Sequence, residues 1–272
     1  MSIYLGVMCA IDFLETQKDC PTQKDYQVCV LPLMDKATSS NQRYTVDMHY
    51  MLNGGRNERG VLVSPQALAL YRQLKIKRVL FIVYALAEDF WQSAWKEAQS
   101  LIGIPGMELR ALTTYTTDRV EIESALAWAD FIYFPGGSQQ SLLNRMHTLD
   151  TDRALEAVIS KGTLRLLGGG SAGAMVMGSW CIVGHKDIKQ VVPGLNYLPG
   201  YVIDSHFSER NRLQRLQAVM RDLPMIVGMG IDEDTAVVFD ERLTIQAIYG
   251  PGSVTICDNK ITRYDTNSTF PT

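Results

Sequence analysis

The chain alternates between short, almost wholly apolar runs and longer mixed segments opened by a capping residue. Arg78–Tyr84 (RVLFIVY) is the clearest run. With no polar alternation, it predicts a strand buried on both faces, as in a parallel sheet. Val46–Leu52, Met107–Leu112, Asp130–Phe134, Leu164–Leu167, Val202–Phe207 and Met225–Ile231 read as further strands. Between them, Ser64-Pro65 predicts an N-cap with proline in the first turn, opening a helix to about Leu74. Other helices are predicted over Glu88–Leu101, from the cap Asp118 to Trp128, and over Ser141–Met146, Thr151–Lys161 and Arg210–Arg221. Val191–Tyr201 is rich in glycine and proline and reads as a loop. Ala236–Phe239, Leu243–Ile248 and Ser253–Cys257 read as a closing antiparallel meander, with turns at Asp240-Glu241 and Gly250-Pro251-Gly252.

This rhythm predicts an α/β fold: a doubly wound, mostly parallel sheet flanked by helices, with the meander at its end. Residues 45–272 are expected to form a single domain. Residues 1–44 read as an N-terminal extension without a function of its own, in which Tyr26–Leu31 can form a strand and Lys36–Arg43 is polar loop. Ligands of such sheets gather at the carboxyl ends of the strands, and two glycine-bearing turns fall there. One is Gly136-Gly137 after Asp130–Phe134; the other follows Leu167.

Composition narrows the function. At 272 residues, with 46 % apolar and 20 % charged residues, the chain can bury a substantial core. A net charge of −3 gives no basic excess for nucleic acid. Five cysteines without a C-x-x-C pair indicate neither a disulfide framework nor a zinc site, so a reducing, cytoplasmic setting is expected. The opening MSIYLGVMCAID meets Asp12 early and lacks a basic leader, a poor signal peptide. No run has the length of a membrane span.

The segment Leu167–Met175 (LGGGSAGAM) carries the strongest chemical signal. Gly169-Gly170-Ser171-Ala172-Gly173 fits the strand–turn–helix pattern of a nucleophile elbow. Such a turn lifts the serine hydroxyl above the sheet and aims the next backbone N–H, that of Ala172, at the same point. The same glycines would also serve a plain turn that packs a helix on a strand. A serine needs a base, and of the four histidines only His206 falls at a strand end followed by a helix. A buried structural histidine is the other reading. The base needs an orienting acid, for which Asp187, Asp204, Asp232, Glu233 and Asp234 are candidates. The last three also read as a solvated acidic turn. Gly136-Gly137 can supply the second oxyanion donor or be an ordinary turn. Arg210, Arg212 and Arg215 crowd a helix start, where cations oppose the helix dipole. A bound carboxylate would favour them there, as would a solvated face beside Glu209.

Together these stretches resemble the serine-peptidase family that contains cyanophycinase and peptidase E. Phe134-Pro135-Gly136-Gly137-Ser138-Gln139 is similar to its glycine-pair motif, and Gly170-Ser171-Ala172-Gly173-Ala174 to its nucleophile motif. Asp204-Ser205-His206-Phe207-Ser208-Glu209-Arg210-Asn211-Arg212-Leu213 resembles the cyanophycinase form D-Q-H-F-x-x-R-x-R-L. Gly230–Ala236 (GIDEDTA) resembles a later block, so the likeness runs from about Leu52 to Cys257.

The resemblance implies Ser171 as nucleophile, His206 as base, and Gly137 and Ala172 as oxyanion donors. It places Gln139, Asp204, Arg210, Arg212 and Arg215 along the substrate pocket. It puts the triad acid shortly after the elbow helix, where Asp187 is the only acid of Cys181–Lys189, with Glu233 as rival. Ser205 stands where the family has glutamine, and Ser138 where it has an acidic or amide residue. The implied activity is hydrolysis of β-aspartyl isopeptide bonds with release of β-Asp-Arg, without metal or organic cofactor. A dipeptidase for α-linked aspartate and a non-catalytic binding protein on the same scaffold are the alternatives. Cysteine-dependent amidotransfer is disfavoured, because serine holds the elbow. The expected partners are an aspartyl peptide or cyanophycin-like polymer and a second copy of the chain, not nucleic acid or membrane.

Overall fold

The computed structural model describes residues 48–56, 60–86, 98, 101, 103–184, 190–223 and 225–270. The extension 1–44, Asp187 and most of the helix expected over Glu88–Leu101 lie outside the described residues.

The strands are β1 (His49–Asn53), β2 (Arg78–Ile82), β3 (Glu108–Leu112), β4 (Phe131–Phe134), β5 (Leu166–Gly170), β6 (Gly178–Val183) and β7 (Gln190–Pro193). They continue with β8 (Leu198–Ser205), β9 (Val227–Ile231), β10 (Ala236–Phe239), β11 (Ile245–Tyr249), β12 (Val254–Cys257) and β13 (Ile261–Tyr264). The helices are α1 (Pro65–Gln73), α2 (Arg119–Trp128), α3 (Gln139–Thr148), α4 (Thr151–Ser160), α5 (Ala172–Met175) and α6 (Leu213–Asp222). The caps expected from the sequence form: the Ser64 side chain accepts from Ala67 N, and that of Asp118 from Glu121 N.

The α/β class holds, but the strands divide between two sheets. One has seven strands in the order β11-β10-β1-β5-β4-β2-β3, with β1, β5, β4, β2 and β3 mutually parallel. The other has six in the order β13-β12-β9-β8-β6-β7, with β6, β8 and β9 parallel. The expected meander is therefore not one unit. The β10–β11 hairpin extends the first sheet, whereas β12 crosses to pair with β9 in the second. A final strand, β13, which the apolar pattern does not predict, pairs with β12. The segment Val191–Tyr201 is likewise not a loop. Its ends belong to β7 and β8, and β7 pairs with β6 through Cys181↔Val192 and Ile182↔Val191. Pro193 and Gly194 mark the sheet edge and the turn, where a missing N–H is tolerated, and Pro199-Gly200 lie in β8 where its pairing with β6 shifts register.

Alternate residues of the continuous apolar runs enter two cores. Val79, Phe81, Phe131 and Tyr133 pack with Leu70 and Tyr71 of α1 on one face of the first sheet. Leu80, Ile82, Ile132 and Phe134 pack on the other face with α2, α3 and α4, in a core shared with Val202, Ile203 and Met229 of the second sheet. A side chain on each face of a strand needs this double cover. The cover holds the carboxyl ends of β1, β4 and β5 beside those of β8 and β9.

Candidate active site

Five chain segments meet at these strand ends. Ser171 joins β5 to α5 with φ 50° and ψ −114°, a backbone region that L-residues rarely occupy. Small neighbours make the turn feasible, since a Cβ on Gly173 would lie 2.7 Å from the Cβ of Phe134. His206 follows β8, also at positive φ (48°). Glu233 lies in the turn after β9. Ser171 Oγ is 2.8 Å from His206 Nε2, and His206 Nδ1 is 2.6 Å from Glu233 Oε1. Of the two acids that the resemblance leaves open, Glu233 is thus the one that meets the imidazole, while Asp187 lies outside the described residues.

The segment Asn53–Arg56, at the end of β1, ties these parts together. Asn53 O accepts from Ser171 N (3.0 Å), Gly54 O from His206 N (2.8 Å), and Gly55 O from Asp234 N (3.0 Å). One turn of backbone therefore fixes the serine, the histidine and the acid-bearing turn. Gly55, at φ 97°, presses on both side chains: a Cβ there would sit 2.5 Å from His206 Nε2 and 3.1 Å from Ser171 Cβ. In the sequence, Asn53-Gly54-Gly55 is a third glycine-bearing turn, after the run Val46–Leu52, and reads only as the end of that strand. Its signal is present, a glycine pair at the carboxyl end of a strand, but only the pairing of β1 with β5 gives that signal a meaning.

Arg56 Nε lies 3.5 Å from Glu233 Oε2, the oxygen that His206 does not take. The Glu233 N–H donates to Glu209 Oε1 at 3.2 Å. Asp232, 2 % exposed, accepts from Ser208 N, from Ser253 N and Oγ, and from Arg263 of β13. Asp232 thereby links the turn after His206 to the turn that carries Glu233. Burial alone would raise its carboxyl pKa, but the hydrogen bonds from Ser208 and Ser253 outweigh burial and hold it below the ordinary value. Burial lowers the His206 pKa, and Arg210 and Arg212 push the same way against the Glu233 hydrogen bond. The shift favours the neutral imidazole, the form able to accept the Ser171 proton.

On the other side, Gly136 lies against Ser171, with its Cβ position 3.8 Å from Oγ. Gly137 has φ 141°, and the next N–H, of Ser138, donates to Ala85 O at 2.7 Å. Among the described residues, no hydrogen bond engages the N–H of Gly137 or Ala172. Ser138, where the family has an acidic or amide residue, caps α3 by accepting from Ser141 N. Gln139 and Ser205 both direct their side chains at Met175 Sδ, at 3.1 and 3.3 Å.

The arginine cluster is placed differently from expectation. The helix starts at Leu213, so Arg210 lies in the preceding turn, exposed, and Arg212 at the cap position. Arg212 and Arg215 both bind Asp204, whose side chain is 0 % exposed. Arg212 Nη1 also donates to Ser205 O at 2.7 Å. Asp204 therefore does not line an open pocket, and the carboxylate that favours these cations belongs to the chain itself. A fully buried carboxylate requires such partners. Among the described residues, no His, Cys, Asp and Glu cluster suits a metal, and no helix is long and apolar enough to cross a membrane.

A hydroxyl, an imidazole and a carboxylate in line on an α/β scaffold are the working parts of a serine-type hydrolase. The profile described as Peptidase family S51 matches residues 51–246, and the chain belongs to that family of serine-type peptidases. Over 140 residues it is 34 % identical to "Cyanophycinase" of Geminocystis herdmanii, covering 49 % of this chain and 51 % of that protein. "Cyanophycinase" of a Nostoc species is 32 % identical over 145 residues, covering 51 % and 48 %. The aligned stretch thus spans about half the length of these relatives. Among solved structures, a peptidase from an acI-B1 actinobacterium superimposes with a TM-score of 0.65 at 19 % identity, covering 83 % of this chain and 97 % of that one. A putative peptidase E from Listeria monocytogenes gives 0.53 at 20 % identity, covering 72 % and 95 %. These two likenesses concern the fold.

Proposed function

We propose that this chain is a cyanophycinase-like serine peptidase that hydrolyses aspartyl linkages in substrates built of β-aspartyl-arginine units, releasing β-Asp-Arg. The observation that carries the reading is the hydrogen-bonded line Ser171–His206–Glu233. Ser171 Oγ attacks the amide carbonyl carbon while His206 Nε2 takes the hydroxyl proton. The N–H groups of Gly137 and Ala172 receive the oxyanion, each worth about 3–4 kcal/mol in the transition state. The C–N bond breaks as His206 returns the proton to the leaving amine. Water, deprotonated by His206, then releases the acyl group from Ser171. Glu233 keeps the tautomer with Nδ1–H and stabilises the imidazolium. Gln139 and the exposed Arg210 lie along the substrate pocket.

Both carboxyls of each aspartate in such a polymer form amides. Cutting the main-chain amide releases intact β-Asp-Arg, whereas cutting the isopeptide amide releases free arginine, so release of the dipeptide requires the main-chain amide and not the isopeptide bond that the resemblance implies. Incubation with cyanophycin, with products separated by mass, tests the proposal and identifies the bond. Release of β-Asp-Arg that disappears in Ser171→Ala supports the reading, and undiminished release by that variant defeats it. Turnover confined to α-aspartyl dipeptides would replace it with the peptidase E kind of activity. The proposal includes a cytoplasmic setting, to which the free, buried Cys181 and Cys257 are suited, and a homodimer, which sedimentation of the purified chain would check.

A further inference from the structure

The cations expected to receive substrate carboxylate are partly committed elsewhere, since Asp204 occupies both Arg212 and Arg215. Another guanidinium stands at the site instead. Arg56 follows Gly55, the residue packed against both His206 and Ser171. Its backbone is fixed, because Arg56 O accepts from Asp234 N at 3.2 Å. Its side chain is 64 % exposed and touches Glu233 at 3.5 Å through Nε. An exposed pair at that distance is weak and readily shared. The planar fork is also the group best shaped for a carboxylate. We infer that Arg56 is a specificity-determining residue, which receives a free carboxylate of the substrate beside the Ser171–His206 pair.

The inference rests on the proposed substrate class, whose β-aspartyl-arginine units carry free carboxylate. With Arg212 and Arg215 both bound to Asp204, Arg56 adds to the exposed Arg210 a second exposed guanidinium through which the site can select an acidic ligand. The segment Asn53–Arg56 then does two things at once. It holds the serine and histidine in place, and it holds one end of the substrate.

Binding to Ser171→Ala protein, measured by calorimetry, tests this without turnover. The ligands are β-aspartyl-arginine and its two variants in which one carboxylate is replaced by a carboxamide. At least one replacement should weaken binding about tenfold, the scale of a charge-assisted hydrogen bond. In Ser171→Ala/Arg56→Gln that replacement should cost less than about twofold, and Arg56→Lys should restore part of the preference. Equal discrimination with and without Arg56 overturns the inference, as does absence of discrimination or of binding in Ser171→Ala itself. Arg56→Gln with Ser171 intact should keep its melting temperature, so that a lost preference reports on the carboxylate contact. A lower melting temperature would instead assign Arg56 to holding the Glu233 turn and would also overturn the inference. If the carboxylate preference behaves as expected while wild-type protein leaves cyanophycin intact, the proposed function fails and the role of Arg56 stands.

Discussion

The serine half and the histidine half of the candidate site are held by different forces. Ser171 is placed by backbone: a strand end, a tight turn at positive φ, and a hydrogen bond to Asn53 O. Gly136 and Gly137 add a wall of main chain with no charge on it. His206 and Glu233 sit among ionised side chains, with Asp204 clasped by Arg212 and Arg215 and Asp232 reached by Arg263. A steric frame tolerates pH but not added atoms. An electrostatic frame tolerates small changes of shape but not the loss of a charge. The site therefore has two distinct vulnerabilities.

The charge side should show the largest effect. Glu233→Gln keeps the shape and removes the charge and the preferred tautomer, so kcat should fall about 10,000-fold with little change in melting temperature. A fall below tenfold would mean that Glu233 does not orient the base. The steric side is probed by Gly55→Ala, whose methyl would intrude on His206 Nε2 and meet Ser171 Cβ. Displacing the ring should cost about 100-fold in kcat/KM. Near-normal activity would show that the hub segment is free to move. Asp232→Asn should destabilise the fold by about 1–3 kcal/mol, measured by denaturant unfolding, because it weakens several buried hydrogen bonds at once.

The mildest perturbation is pH. A depressed His206 pKa means that kcat/KM should rise with pH through an acid limb below the ordinary histidine value of 6.5 and be fully developed near neutrality. An acid limb above 6.5 would contradict the neutral imidazole. The Asp232 pKa is also lowered on folding, so its contribution to stability is present above the ordinary value of 3.8 and is lost as pH falls through the folded value. A wild-type stability curve that drops there, and is flatter in Asp232→Asn, checks the linkage.

Much of the scaffold is legible in the sequence because its signals are local. Apolar runs mark β2 and β4, and Ser64 and Asp118 mark helix starts to the residue. The turn around Ser171 is readable because only small residues fit where a helix crosses a strand end. The division into two sheets is not readable, because β8, β9 and β12 have the composition of any buried strand and their partners lie far along the chain. The arginines are misplaced for a related reason. A sequence shows that cations oppose a helix start, but not that Asp204 comes round to neutralise them.

By itself the sequence determined the α/β class and singled out Ser171 between strand and helix, with His206 as its candidate base and a buried structural histidine as the other reading. These follow from periodicity, residue size and capping within a few neighbouring positions. Only the tertiary structure decided that Glu233 is the carboxylate on His206, that Asp204 is closed off by two arginines, and that Asn53–Arg56 binds the halves together. The second depends on how the turn after β8 folds back on the strand, while the first and last depend on which strand ends adjoin. That is set by the summed burial of two sheets and their helices, to which no short stretch of chain holds the key.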